Sequence, residues 1–309
     1  MGQLDFKGRV AIVTGSGSGM GREHAIALAA RGARVVVNDV AAERAAETVM
    51  KITETGGEAV ANDSDVTVDS ARLVATAIER FGRLDILTNN AGIVRFGTFW
   101  EQDPDEWWTV FNTHLRGTVE TTRYAMPYLI KSGSGRVINI SSSATLGSPK
   151  SSAYCAGKAA IYGFSNSLAM EAAAVGVQVI AVMPSAWTPM TEFAFDDPAV
   201  RQVMKDKLPA RAVGAFLTWL AHQDTTVSGG CVQTSGDSAC QTAFAVRPRI
   251  RAASMTPEAW ADEAERLRSP GDDWTPLWST GDSFRAELVF ADSSLETVLP
   301  ADPIASQIR

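Results

Sequence analysis

From Val10 to Met183 the chain alternates between two patterns, and that alternation leaves few folds open. Short β-branched runs lie at Val10–Thr14, Arg34–Asn38, Glu58–Ala61, Leu84–Leu87, Arg136–Ile140 and Val177–Met183. Longer Ala-rich stretches with helical spacing separate them, at Arg22–Ala30, Ala41–Thr53, Ala71–Phe81, Glu106–Ile130 and Ser152–Ala174. The short runs are almost continuously apolar, as strands buried on both faces must be. Strand then helix, repeated, dictates right-handed βαβ units. The expected class is α/β, a doubly wound parallel sheet with helices on both faces. Gly32, Gly82 and Gly176 stand where helices should end.

The pattern changes near Pro184. Prolines 184, 189, 198 and 209 punctuate a loop-rich stretch, followed by a helix at Ala210–Ala221 and a strand-like segment at Cys231–Ser235. From about Gln241 the chain reads as a tail rich in Pro, Arg, Asp and Trp, with one helix from Thr256 and Pro257 to about Leu267. The expected organisation is one domain over 1–240 and a C-terminal extension over 241–309. The net charge of −7 argues against sequence-independent nucleic-acid binding and against docking on an anionic membrane. Three cysteines fit a reducing compartment, and the start of the chain lacks the apolar core of a signal peptide, so a cytoplasmic location is expected. No Cys/His cluster has metal spacing, and no metal is expected.

The first strand runs into T-G-S-G-S-G-M-G, residues 14–21, and a helix follows at once. Gly15, Gly19 and Gly21 suit a turn that brings bare backbone against a pyrophosphate, with Ser18 and Met20 between them. The amides and the positive dipole end of the new helix then hold the charge. The second strand ends in Asp39, followed by Val40. An acid there accepts both hydroxyls of an adenosine ribose and repels a 2′-phosphate, so NAD is expected over NADP. Asp39 also suits a cap for the next helix. Asp65 and Val66 follow the third strand and are candidates for the adenine amino group and ring face. Asn89, Asn90, Ala91 and Gly92 follow the fourth, with Ala91 and Gly92 leaving room for the cofactor. Both segments sit at carboxyl ends of strands, where open α/β sheets bind ligands.

Tyr154 and Lys158 are one helical turn apart, so their side chains share a face. A cation near a phenol lowers its pKa from about 10. Tyr154 is thereby suited to take a hydroxyl proton as hydride leaves, or to return one. The fifth strand ends in Asn139, Ile140 and Ser141–Ser143, where a serine hydroxyl could orient the substrate oxygen.

Taken together, TGSGSGMG, NNAG, the serine run and YCAGK resemble the short-chain dehydrogenase/reductase family over residues 6–240. VVVND, T-H-L-R-G and P-x-A-x-T-x-M-T are similar to the dehydrogenase part of type 2 peroxisomal multifunctional enzymes and their stand-alone bacterial relatives. The resemblance implies a Rossmann fold, a nicotinamide cofactor and a homo-oligomer, dimer or tetramer. It implies Tyr154 as acid/base, Lys158 on the ribose, Ser142 or its neighbour Ser141 on the substrate, and Thr188 on the nicotinamide, with Pro184 and Met190 beside it. It also makes residues 185–209 a substrate flap, whose Trp187, Met190, Phe193 and Phe195 would offer an apolar face.

There are two departures from the family pattern. His114 stands where the family has a relay asparagine; Asn112 lies about 200° round the helix and cannot replace it. His114 is expected to hold the relay water or to titrate itself. The loop before Tyr154 is short, and counting along the fifth strand favours Ser142. Arg95 and Arg116 are candidates for an anionic substrate group. Trp260, Trp274 and Trp278 should dock the tail on the body or another subunit, or wall the site. The expected activity is NAD-dependent hydride transfer from a secondary alcohol, hydroxyacyl-CoA-like, steroid-like or otherwise hydrophobic. The alternatives are an NADPH-linked ketoreductase, which Asp39 opposes, and a catalytically idle dinucleotide sensor, which the departures motivate.

Overall fold

The computed structural model describes residues 4–192, 197–268, 273–277, 280–291 and 293–297. It divides into two compact units, Met1–Gln241 and Thr242–Arg309. The first unit is built on strands β1 (Val10–Val13), β2 (Arg34–Asn38), β3 (Glu58–Asn62), β4 (Ile86–Asn89), β5 (Arg136–Ile140), β6 (Gln178–Ser185), β7 (Cys231–Ser235) and β8 (Ser238–Thr242). Their order is β3-β2-β1-β4-β5-β6-β7-β8, and β1 to β7 pair in parallel. The strand order reverses between β1 and β4, so a crevice opens at their carboxyl ends.

Alternate residues of each strand feed opposite layers, as the two-residue period of a strand requires. Ala11, Val13, Val35 and Val37 pack with α1 (Gly19–Ala29), α2 (Ala42–Glu54) and α7 (Ala210–Ala221) through Leu28, Ile52 and Leu217. Val10, Ile12 and Val36 pack with α3 (Ser70–Phe81), α4 (Pro104–Ser132) and α5 (Ser152–Ala173) through Leu73, Leu129 and Ala169. Each fully buried Leu or Ile contributes about 1.5–3 kcal/mol, so these layers carry the fold.

Strand β4 sits two residues later than the apolar run. The buried Asp85 carboxylate accepts the Val10 N–H at 2.9 Å and binds Arg83, which keeps it at the strand's foot. At the other end Asn89 donates to Asn139 at 2.8 Å, which carries the pairing into the polar residues. The loop-rich stretch after Pro184 holds a further helix, α6 (Pro198–Lys207), started by Asp197, whose side chain accepts the Ala199 and Val200 amides.

The second unit has more order than a tail. Strands β9 (Phe244–Val246) and β10 (Thr275–Leu277) pair antiparallel. The single helix expected there is two short ones, α8 (Pro257–Asp262) and α9 (Ala264–Arg268), and α10 (Thr280–Ala291) follows. Trp260 and Trp274 are about half exposed within this unit, with Arg247 over the Trp274 ring; Trp278 lies outside the described residues.

Candidate active site

The glycine loop joins β1 to α1, and other segments hold it in shape. Thr14 Oγ1 accepts the amides of Asn90 and Ala91, both at 2.9 Å, while Asn90 Nδ2 donates to the carbonyls of Thr14 and Gly15. Gly15 and Gly19 are left-handed, at φ +59° and +56°. A Cβ on Gly21 would lie 2.5 Å from Asn90 Nδ2 and 2.6 Å from the Gly15 carbonyl oxygen, so only glycine fits there. Ser18 is extended and makes no side-chain cap, which leaves the first amides of α1 for an anion. Met20 is half-buried. Asn90 is therefore an organiser of the loop.

Asp39 closes the other side. Its Oδ2 accepts the Gly17 N–H at 3.1 Å and its Oδ1 accepts the Ala41 N–H at 3.0 Å. The carboxylate thus touches both the glycine loop and the start of α2. Sequence reasoning passed over Gly17: a Cβ there would lie 2.6 Å from the carboxylate, so Gly17 is what admits Asp39. Val40 beside it is exposed, and Asp65, also exposed, accepts the amide and hydroxyl of Thr67. Val66 is different. Its side chain is buried in a notch where Gly117 of α4 lacks a Cβ, so it is no open platform for an adenine.

Tyr154 and Lys158 lie in the first turns of α5. Lys158 Nζ is buried, donates to the Ile140 carbonyl at 2.6 Å and sits over the Tyr154 ring, 5.6 Å from its centroid. Ser142 Oγ accepts the Ala144 N–H at 3.1 Å, and its hydroxyl lies close enough to Tyr154 to favour the phenolate. Ser141 points elsewhere, donating from a buried Oγ to the Lys158 carbonyl at 2.7 Å, which ties the end of β5 to α5. The two serines thus face different partners, and Ser142 is the one beside the phenol.

His114 meets Tyr154 edge-on, with ring centroids 5.1 Å apart. Its Nε2 lies 2.8 Å from the Ile93 carbonyl, which can only accept, so Nε2 carries the hydrogen. Nδ1 is then bare, buried and without a partner. Burial, with the Lys158 cation adding to it, pushes His114 down to about 3. The histidine is therefore neutral near pH 7, which corrects the expectation that it titrates. Gly92 makes room for it: a Cβ there would lie 2.3 Å from His114 Cε1, and one on Gly157 would lie 3.0 Å from His114 Cβ. The space at Gly92 thus serves the imidazole.

Burial raises the Tyr154 pKa, while the Ser142 hydroxyl opposes the rise. In the ligand-free protein the phenol is protonated, contrary to the lowering expected from Lys158. The lysine ammonium faces the ring and a carbonyl, and is itself pushed down to about 7 by burial. Its ordinary value is 10.5, so the unfolded chain binds the extra proton between the two. Native stability should therefore rise as pH climbs from 7 towards 10.5, the cost being complete below 7. The melting-temperature difference between wild type and Lys158→Met should move in favour of wild type from pH 7 to about 9.5. A constant difference would contradict a depressed lysine.

The segment after β6 bridges the two halves of the site. Pro184 lies in β6, and Thr188 is buried with its methyl 3.6 Å from where a Gly19 Cβ would stand. Met190 is partly exposed. Trp187 donates its amide to the Leu208 carbonyl at 2.7 Å and bridges Pro209, which joins the chain after β6 to the start of α7. Phe193 and Phe195 lie outside the described residues. Arg95 folds onto its own neighbour's carbonyl, at Val94, and Arg116 is exposed on α4. Among the described residues, no hydrogen bond or ring contact joins either to Tyr154.

Known proteins share this architecture. The short chain dehydrogenase family model matches residues 9–198. A type 2 peroxisomal multifunctional enzyme of Drosophila melanogaster is 36% identical over 244 residues, which cover 76% of this chain and 40% of that relative. A peroxisomal hydratase-dehydrogenase-epimerase of Neurospora crassa is 38% identical over 75% of this chain and 26% of its own length. The chain thus spans well under half the length of these curated relatives. The crystal structure of a short chain dehydrogenase from Mycobacterium avium is 36% identical, with a TM-score of 0.77, over 90% of this chain and all of that one. The chain belongs to the short-chain dehydrogenase family.

Proposed function

We propose that the protein is an NAD-dependent dehydrogenase that oxidises a secondary hydroxyl on a hydrophobic compound, a hydroxyacyl thioester being the first candidate. The observation that carries this reading is Tyr154 held between the buried Lys158 ammonium over its ring and the edge-on, neutral His114, with Ser142 beside it. The bare glycine cradle and uncapped α1 fit a dinucleotide, which when bound supplies the hydride acceptor. Ser142 holds the substrate oxygen against Tyr154. Tyr154 takes the hydroxyl proton as hydride leaves the carbon. Lys158 offsets the phenolate charge and His114 fixes the wall behind the ring. The name of one curated relative, a hydratase-dehydrogenase-epimerase, supports the reading as a dehydrogenase. Exposed Trp108, Tyr124 and Tyr128 along α4 favour assembly with further copies.

The test is NADH formation, followed by absorbance, on a panel of secondary alcohols and 3-hydroxyacyl thioesters. Silence across the panel with tight NADH binding would favour an idle sensor instead. Asp39 selects the cofactor in this reading. Asp39→Ala should shift the ratio of NAD to NADP binding by about tenfold towards NADP, because two charge-assisted hydrogen bonds and one repulsion are removed. An unchanged ratio would take that role from Asp39.

A further inference from the structure

His24 of α1 is fully buried between β4 and α7, in a layer otherwise made of Ala25, Leu28, Val213 and Leu217. Its Nδ1 lies 3.2 Å from Thr218 Oγ1 and its Nε2 lies 3.0 Å from Thr88 Oγ1. The hydrogens can be placed. Thr218 gives its own proton to the Gly214 carbonyl at 2.7 Å, so its oxygen accepts from Nδ1–H. Nε2 is then bare and accepts the Thr88 hydroxyl. Burial pushes His24 down to about 3, so one neutral tautomer holds near pH 7.

The path continues from Thr88 to the glycine loop. The Thr88 carbonyl accepts the Thr14 amide at 3.0 Å and its hydroxyl at 3.4 Å. Thr14 Oγ1 accepts the Asn90 and Ala91 amides, and Asn90 returns to the Gly15 carbonyl. On the far side α7 meets α1 backbone to backbone: a Cβ on Gly214 would lie 2.9 Å from the Glu23 carbonyl carbon. Three polar side chains in an apolar layer are not the cheapest way to hold two helices together, since an apolar trio of similar volume would pack as well. They do fix one rotation and one height of α1 against β4, which packing alone leaves loose.

We infer that His24 is a positioning residue for dinucleotide binding. It pins α1 to β4 and α7, so that the amides at the start of α1 are aimed at the pyrophosphate. The inference rests on the reading that this loop holds a dinucleotide. The experiment is titration of the full chain with NADH, followed by nicotinamide fluorescence, for wild type, His24→Leu, Thr88→Val and the control Leu217→Ala. His24→Leu and Thr88→Val should each weaken NADH about tenfold, the worth of one buried hydrogen bond. The double variant should be no worse than either single one, because both break the same link. Leu217→Ala opens a cavity in the same layer and should lower the melting temperature while leaving NADH affinity within about twofold. His24→Asn, which keeps a donor towards Thr218, should restore part of the loss. Unchanged affinity in His24→Leu, or an equal loss in Leu217→Ala, overturns the inference. Should His24→Leu fail to fold, the near-isosteric Thr88→Val decides alone. Wild type that binds no NADH would sink the dinucleotide reading, and this inference with it.

Discussion

Tyr154→Phe is expected to lower turnover by about a thousandfold or more while NADH affinity stays within about twofold. In the proposed reaction the phenol oxygen is the group that takes the hydroxyl proton, with Ser142 beside it. Phenylalanine keeps the ring, and with it the edge-on contact with His114 and the face under Lys158. The site therefore keeps its shape and loses its proton acceptor. Substantial turnover in the variant would remove Tyr154 from the chemistry. A parallel collapse of NADH binding would show that the hydroxyl is structural.

Gly21→Ala should weaken dinucleotide binding through sterics alone. The added Cβ would press on the Gly15 carbonyl oxygen, which is backbone and cannot swing aside, and on the Asn90 amide that stitches the loop. Overpacking of this kind costs about 1–3 kcal/mol, and here it falls on the turn proposed to meet the phosphates. NADH affinity should drop at least tenfold. Gly163→Ala on α5 is the contrast. Nothing lies within 4 Å of its absent Cβ and its φ is ordinary. That change should stabilise the helix by up to about 1 kcal/mol with no effect on NADH. Both variants can be compared by thermal unfolding and fluorescence titration.

Elements whose cause is local were legible in the sequence. Helix α7 lies at Ala210–Ala221 as its apolar spacing predicts, and the strands follow their β-branched runs within a residue or two. Helix α6 was missed although Asp197-Pro198 carries a start signal, because prolines on either side read as loop. The pairing of β9 with β10 joins segments about thirty residues apart, and such register leaves little mark on a single sequence. The site divides in the same way. The Tyr154–Lys158 spacing and the glycine turn announce themselves through helix period and strand-loop-helix context. Gly92 and His114, or Gly17 and Asp39, are matched across the fold, and one member cannot be interpreted before the other is placed. The direction of the Tyr154 shift was misjudged for a related reason: proximity along a helix is readable, whereas burial is not.

The junction of Trp187 with Leu208 and Pro209 has a practical consequence. Trp187 bonded to Leu208 and bridged to Pro209 holds the two ends of the segment together whatever lies between them. The entropic cost of closing a loop grows only slowly with its length, and here the ends are already joined. A change of sequence between the two joined ends is therefore expected to leave the cofactor loop, α7 and Tyr154 where they are.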